Sequence, residues 1–471
     1  MGYRMLEVVG QTHMADRQWA CLLAVLGSLW LAACTPEEEI TTDDASVQLL
    51  FSQDTIQFDT LFSTVGSTSQ PLKVYNPHRN AVTISTIETG RGTESSYTAY
   101  VNGQPGQRFQ NIRLLGGDSL YVLVEVLIDP QDQNLPFLVK DSLVFQVNGN
   151  LQDVKLEAWG QDAHFHPGWV ITQDTALKGE RPFVILDSLW INPEVTVTVD
   201  SGARFFFENG AFALIQGSLQ TSGTVNAPVI FRNIRTDGAY ENALGQWDGL
   251  TFTASSRDNK LRHTIVRNAI NGIIINTPDA DTIPDLTLAN SIVENMAGYG
   301  IVAIGSDVEA YNTLVHSCIL GLAYNVGRGY YRYRHCTFDN SSLAYPREED
   351  WLSLAFSDTI SDFDVSAQAF YGELTNSIVW GNFTDELLLV QSQSETDFQI
   401  KANLIKSSDD SLEGNIYNED PLFVDPVIAR YALDSLSPAI DQGINTGIKQ
   451  DLMGESRGDL PDLGAFEYRK P

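Results

Sequence analysis

The sequence predicts an all-β protein: an antiparallel β-sandwich, then a parallel β-solenoid, then a C-terminal capping segment. Short alternating apolar runs separated by turn residues fill 47–160, and one four-residue motif recurs six times between 263 and 405. The 471 residues are 43% hydrophobic and 10% aromatic, enough for a packed core and incompatible with global disorder. Lys and Arg number 29 against 60 Asp and Glu, a net charge of −31. That balance argues against nucleic acid or an anionic membrane face as a partner held by bulk charge.

Arg17 precedes an apolar run over 19–33 that ends Leu31-Ala32-Ala33-Cys34. About 14 apolar residues are too few to span a bilayer and suit the core of a secretory signal. The small pair before a cysteine resembles the lipobox of bacterial lipoproteins, which implies a signal peptide over 1–33 and lipidation of Cys34. Attachment to a membrane through two or three acyl chains follows from that resemblance. Met14 gives a more ordinary leader than Met1, and the start stays open between them. Residues 34–46 then form an acidic tether, too polar to pack. Its Glu37, Glu38 and Glu39 resemble the surface-export signal of Bacteroidetes lipoproteins, implying a lipid-anchored protein on the extracellular face of the outer membrane. The alternative is a plain linker on the periplasmic side.

Over 47–160 the runs at 72–75, 82–84, 120–124, 143–147 and 154–156 alternate apolar and polar residues. Asn76-Pro77, Gly116-Gly117-Asp118 and Asn148-Gly149-Asn150 separate them. Regular short strands of this kind predict a sandwich. It resembles the immunoglobulin-like modules of bacterial surface proteins, and it carries no catalytic constellation.

From 161 to 425 the texture is that of a repeat. The motif reads HTIV at 263–266, NSIV at 290–293, NTLV at 312–315, HCTF at 335–338, NSIV at 376–379 and ANLI at 402–405. Its last residues step by 27, 22, 23, 41 and 26, one solenoid turn each with loops of differing length. With the strand-like openings near 195, 217, 227 and 245, the segment resembles the right-handed parallel β-helices of the pectin-lyase type. Equivalent residues of neighbouring coils then stack about 4.8 Å apart.

The first column (His263, Asn290, Asn312, His335, Asn376, Ala402) resembles the asparagine ladder at a β-helix bend, where Asn tolerates left-handed backbone. His263 and His335 are accordingly read as ladder residues, not metal ligands. The second column is small and polar, and Cys336 fits it as a buried thiol. Cys318 falls about five residues out of register with Cys336, too far for a disulfide. The third column is apolar beside an inward fourth, so something must cover it, with 340–350 the candidate; an exposed stripe would mark a partner site.

Tyr311, Arg332 and Arg334 are the candidate ligand contacts, from a strand rich in aromatics and guanidinium groups. The register sets Arg332 beside Glu309 and Glu373, and Arg334 beside Tyr311 and Thr375. The structural expectation is a Glu-Arg-Glu surface ladder through Arg332, with Arg334 over Tyr311 as a cation–π contact.

Related β-helices include polysaccharide lyases and hydrolases, which need a base and cations on an outer strand face. The strands at 272–275, 300–304, 321–324, 351–356 and 387–390 hold no Lys, Arg, His, Asp or Glu, which argues against catalysis. No catalytic residue, metal ligand or cofactor is assigned. Calcium suits the acidic loops at 277–285 and around Asp358, Asp362 and Asp364 in ligand type, but no loop of defined ligand spacing is present.

The final stretch, 426–471, resembles the closing segment of β-helix surface lipoproteins of Bacteroidetes. It is expected to close the open end of the solenoid, with Asp441 and Asp462 as partners of Arg457. The functional expectation is a non-enzymatic glycan-binding or adhesion protein, its partner a polysaccharide or surface protein. A polysaccharide lyase or glycoside hydrolase on the lateral face is the alternative.

Overall fold

The computed structural model describes residues 40–469 apart from 237, 239, 278–282, 344, 349–351, 360–368 and 393–394. The leader, Cys34 and Asp279, Asp281, Asp362 and Asp364 lie outside the described residues. The chain divides into two compact units.

The first is built on two five-stranded sheets whose ladders include the antiparallel pairs Gln70–Tyr75 with Ser119–Val126 and Val82–Thr89 with Phe137–Val147. Alternation fixes the faces. Leu72, Val74, Val122 and Val124 are buried, while Lys73 and Tyr121 between them point outward. This is a β-sandwich, with the apolar half of each strand inside.

The second unit is a parallel β-helix. Three parallel sheets run along it, of eleven, nine and nine strands among the described residues. We call them sheet I (His164–His166 to Ile416–Tyr417), sheet II (Trp169–Ile171 to Leu387–Val390) and sheet III (Thr175–Leu177 to Thr396–Lys401). The repeat register holds through every coil: Val266, Val293, Val315, Phe338, Val379 and Ile405 are successive Cα partners in sheet I. All six point into the core and are essentially inaccessible. Toward the N-terminal end the core is aromatic, with Phe183, Phe205 and Phe231 stacked at 4.9 and 4.7 Å. Each such ring removed from water contributes roughly 1.5–3 kcal/mol.

The first column sits at the bend entering sheet I. All six residues have positive φ, between 45° and 53°, the left-handed geometry that Asn adopts most readily. Asn312 Nδ2 donates to Asn290 Oδ1 (2.8 Å), and Asn376 Nδ2 to His335 Nε2 (3.0 Å). Burial and the nearby Arg457 push His335 down to about 3, so the ring stays neutral and can accept. In the second column Ser291 and Ser377 accept from the backbone N–H of Thr264 and Cys336, and Asn403 from that of Ser377. Cys318 and Cys336 are free and buried.

One expectation about packing changes. The apolar third column is covered not by the described residues of 340–350 but by the C-terminal stretch: Tyr431, Leu452 and Ala465 pack on Leu314, and Leu433, Ala439 and Leu463 on Ile378 and Leu404. The same stretch docks on the ladder through Ile444 with Asn376 and Thr446 with His335. It therefore runs along the flank of the coils from Leu314 to the last strands of sheet I at Leu404 and Ile416, while Leu412 and Tyr417 pack against the core. Arg457 pairs with Glu467 (2.9 Å) and donates to the Asp462 carbonyl, while the Asp462 carboxylate accepts the backbone N–H of Asp441 and Tyr468.

Candidate functional site

One position beyond the inward column, sheet I presents Arg267, Glu294, His316, Asp339 and Trp380 as successive partners. A strand alternates faces, so these follow buried residues and turn outward. Glu294 stands between a guanidinium and an imidazole: Arg267 Nε lies 3.1 Å from its Oε1 and His316 Nε2 2.8 Å from its Oε2. Arg267 also donates to Asn242 Oδ1 (2.8 Å), and His316 Nδ1 is 2.9 Å from Ser317 Oγ. Burial alone would raise the Glu294 carboxyl; the close His316 contact and the charges of His316, Arg267 and Arg232 outweigh it and bring it to about 2.

This chain of polar groups floors a cleft of about 480 Å³. Glu241, Asn242 and Leu244 wall one side; Ser342, Leu343, Tyr345 and residues 426–429 of the C-terminal stretch wall the other. Tyr345 is half exposed and Val427 almost fully so, an apolar rim above a polar floor. Asp339 is fully buried beneath Ser341, whose N–H and hydroxyl donate to it, and burial lifts it to about 6. The Tyr431 ring packs on His316 at 4.8 Å.

Ser317 has φ 56°, and Asn268 and Asn295, its counterparts in the two preceding coils, have φ 66° and 62°. A second left-handed ladder thus flanks the cleft, with serine where its neighbours carry asparagine.

The sequence-derived candidates lie elsewhere, on the outer face of sheet III. The register is as expected: Glu309, Arg332 and Glu373 align, as do Tyr311, Arg334 and Thr375. The pairing differs. It is Arg334 that bonds Glu309 and reaches Glu373 at 4.0 Å, while Arg332 lies 5.3 Å from the Tyr330 ring centroid. Side chains on a strand lean along it, so the ion pairs run diagonally, and Tyr311 loses its expected cation. Sheet II shows the apolar outer column Ile274, Val302, Tyr324, Ala355 and Leu388. Asp285 accepts the backbone N–H of Asp307, and Asp358 accepts from Ser392 and Thr396. Among the described residues no three His, Cys, Asp or Glu side chains are grouped to hold a metal.

The cleft residues escaped the sequence reading, although the signal was adjacent to it. The repeat alignment extended by one column reads Arg267, Glu294, His316, Asp339, Trp380.

No family model and no curated protein matches the chain. Solved structures with partial likeness include a protein of unknown function from Porphyromonas gingivalis W83 (14% identity, 26% of this chain and 49% of that one, TM-score 0.18). A PapD-like domain of human CEP192 matches at 11% identity over 25% of this chain and 85% of that one, TM-score 0.17. A family 123 glycoside hydrolase from Clostridium perfringens matches at 5% identity, 26% of this chain and 25% of that one, TM-score 0.17. This chain spans about half the length of the Porphyromonas protein, and at such scores none of the three bears on function.

Proposed function

We propose that the protein is a surface lipoprotein, anchored through Cys34, whose immunoglobulin-like module presents a glycan-binding β-helix, with the sheet I cleft as the binding site. The observation that carries this is the in-register chain Arg267–Glu294–His316 on the floor of a 480 Å³ cleft. Fixed donors and acceptors below an apolar rim match a saccharide, which has hydroxyl edges and apolar ring faces. Glu294, held ionised down to about pH 2, is a weak base for a uronate C5 proton, which favours binding over lyase chemistry.

Full-length protein, solubilised in detergent, would be screened for binding to neutral and acidic polysaccharides by calorimetry, alongside Tyr345→Ala and Arg267→Gln. Saturable binding weakened at least tenfold by either change is expected; wild-type protein that binds none of the panel would refute the assignment. Radiolabelled palmitate incorporation lost in Cys34→Ala, and protease access in intact cells, test the anchor and its side of the membrane.

A further inference from the structure

We propose that Ser317 is a nucleophile, activated by His316 and oriented through Glu294, that cleaves O-acyl esters presented in the sheet I cleft. The proposal goes beyond glycan binding, because it names a reaction on the substituent and not on the sugar backbone.

The geometry is a relay of three groups. Glu294 Oε2 lies 2.8 Å from His316 Nε2 but off the line of its N–H, so the contact is electrostatic, and an ionised carboxylate there favours the tautomer that carries its proton on Nε2. In the neutral ring Nδ1 is then the free acceptor, and the Ser317 hydroxyl lies 2.9 Å from it. Carboxylate, imidazole and hydroxyl stand in the order that lets an imidazole take the hydroxyl proton while a carboxylate steadies the resulting charge. Glu294 acts through His316 and is a positioning residue. The Tyr431 ring, 4.8 Å from the imidazole, and the contact with Glu294 hold the ring in place.

The backbone supplies a second, independent sign. At the two preceding positions of this ladder the chain uses Asn268 and Asn295, which suit left-handed geometry; at 317 it places serine, which suits it less well, at φ 56°. A less comfortable residue at the one ladder position that touches a histidine and lines the cleft is what a functional hydroxyl requires. Asn295 lines the same cleft one coil away, and its residue type carries an amide donor of the kind that stabilises a developing oxyanion.

The reaction balances with water as the only co-reactant. Ser317 Oγ bonds to the ester carbonyl carbon as its proton passes to His316 Nδ1. The carbonyl carbon to alkoxy oxygen bond then breaks, and the departing oxygen takes that proton to leave as an alcohol. Water attacks the acyl-serine, giving one proton to Nδ1. Collapse frees the carboxylic acid and returns the proton to Ser317 Oγ.

Full-length protein is incubated with a fluorophosphonate probe, and separately with p-nitrophenyl acetate and an acetylated xylan. The expected result is a single label on the peptide containing Ser317, and acetate release that falls at least 100-fold in Ser317→Ala and in Ser317→Asn. Ser317→Asn restores the residue type of the ladder, so its melting temperature should equal or exceed that of wild type; loss of activity there is not loss of fold. Glu294→Gln should lower kcat with little change in KM and shift the pH–rate profile, which a purely structural role would not do. Wild-type protein that neither labels nor releases acetate overturns the proposal, as does label or turnover that persists in Ser317→Asn. Glycan binding measured on Ser317→Asn separates this outcome from failure of the binding assignment, since the variant keeps Arg267 and Tyr345.

Discussion

Arg457 reaches across 145 positions of sequence to Asn312: its Nη2 donates to the Asn312 Oδ1 at 3.0 Å. The same guanidinium, 1% exposed, pairs with Glu467 and donates to the Asp462 and Gly464 carbonyls. Asn312 in turn bonds Asn290 and the Gln450 carbonyl, so one buried cation fastens the C-terminal stretch to the ladder.

Arg457→Ala leaves Glu467 with little water and no cation, and Asn312 with an unpaired oxygen. Breaking such a pair costs about 3–5 kcal/mol. Urea denaturation of Arg457→Ala should show a loss of about 3 kcal/mol, with the stretch after 420 cut first by protease. A loss below about 0.5 kcal/mol, in the range of ordinary surface changes, would show that the stretch is held by its apolar contacts alone. Arg457→Met with Glu467→Gln should lose less than either single change, because no buried charge is stranded.

Ala402 occupies the last ladder position at φ 52° without the side chain that suits it. Left-handed backbone costs an ordinary L-residue roughly 1–2 kcal/mol, and Asn much less. Ala402→Asn should therefore raise stability by about 1 kcal/mol, with a matching rise in the denaturation midpoint. No gain, or a loss, would mean that the asparagine column is not set by backbone geometry.

Much of this fold was legible because stacking makes every coil answer to its neighbours. A four-residue motif that recurs from 263, 290, 312, 335, 376 and 402 sets the coils in register, and the Cα partners agree at each step. Side-chain reach was less legible. Register sets Cα positions, but Arg334 leans two residues back to Glu309, so the pairing deduced for Arg332 belongs to its neighbour. The cleft was hidden for a different reason. Arg267, Glu294, His316 and Asp339 share no chemistry, so their column has no visible repeat, and one wall comes from 426–429, far downstream in the sequence. The covering of the third column by the C-terminal stretch is likewise non-local packing, which no periodicity encodes.

The diagonal pairing makes a difference between two adjacent arginines measurable. Arg334, Glu309 and Glu373 are each about a quarter exposed or less, whereas Arg332 lies over the Tyr330 ring of its own strand, 5.3 Å from the centroid. Partly exposed pairs of this kind contribute about 0.5–1 kcal/mol. Arg334→Ala should destabilise by about 1 kcal/mol, and Arg332→Ala by less than half of that. A double-mutant cycle between Arg334 and Glu309 should return a coupling that fades in 1 M salt. The larger loss at Arg332 would restore the straight ladder.

Asp339 gives the solenoid a pH dependence of a defined sign. Burial raises its carboxyl from 3.8 to about 6, against the opposing Ser341 hydrogen bonds and the attraction of His316. The folded state therefore binds this proton more tightly than the unfolded chain does. Below pH 3.8 the group is protonated in both states and costs nothing. The penalty grows as pH rises toward 6 and is complete above it, at about 3 kcal/mol from the two-unit difference. Asp339→Asn keeps an oxygen for Ser341 and removes the titration, while His316, Glu294 and Tyr431 stay as they are. The variant should match wild type near pH 4 and exceed it by about 2–3 kcal/mol at pH 8, with the gap opening between those values. Thermal melts across that range decide it: a gap that does not vary with pH would mean that Asp339 stays ionised in the folded protein.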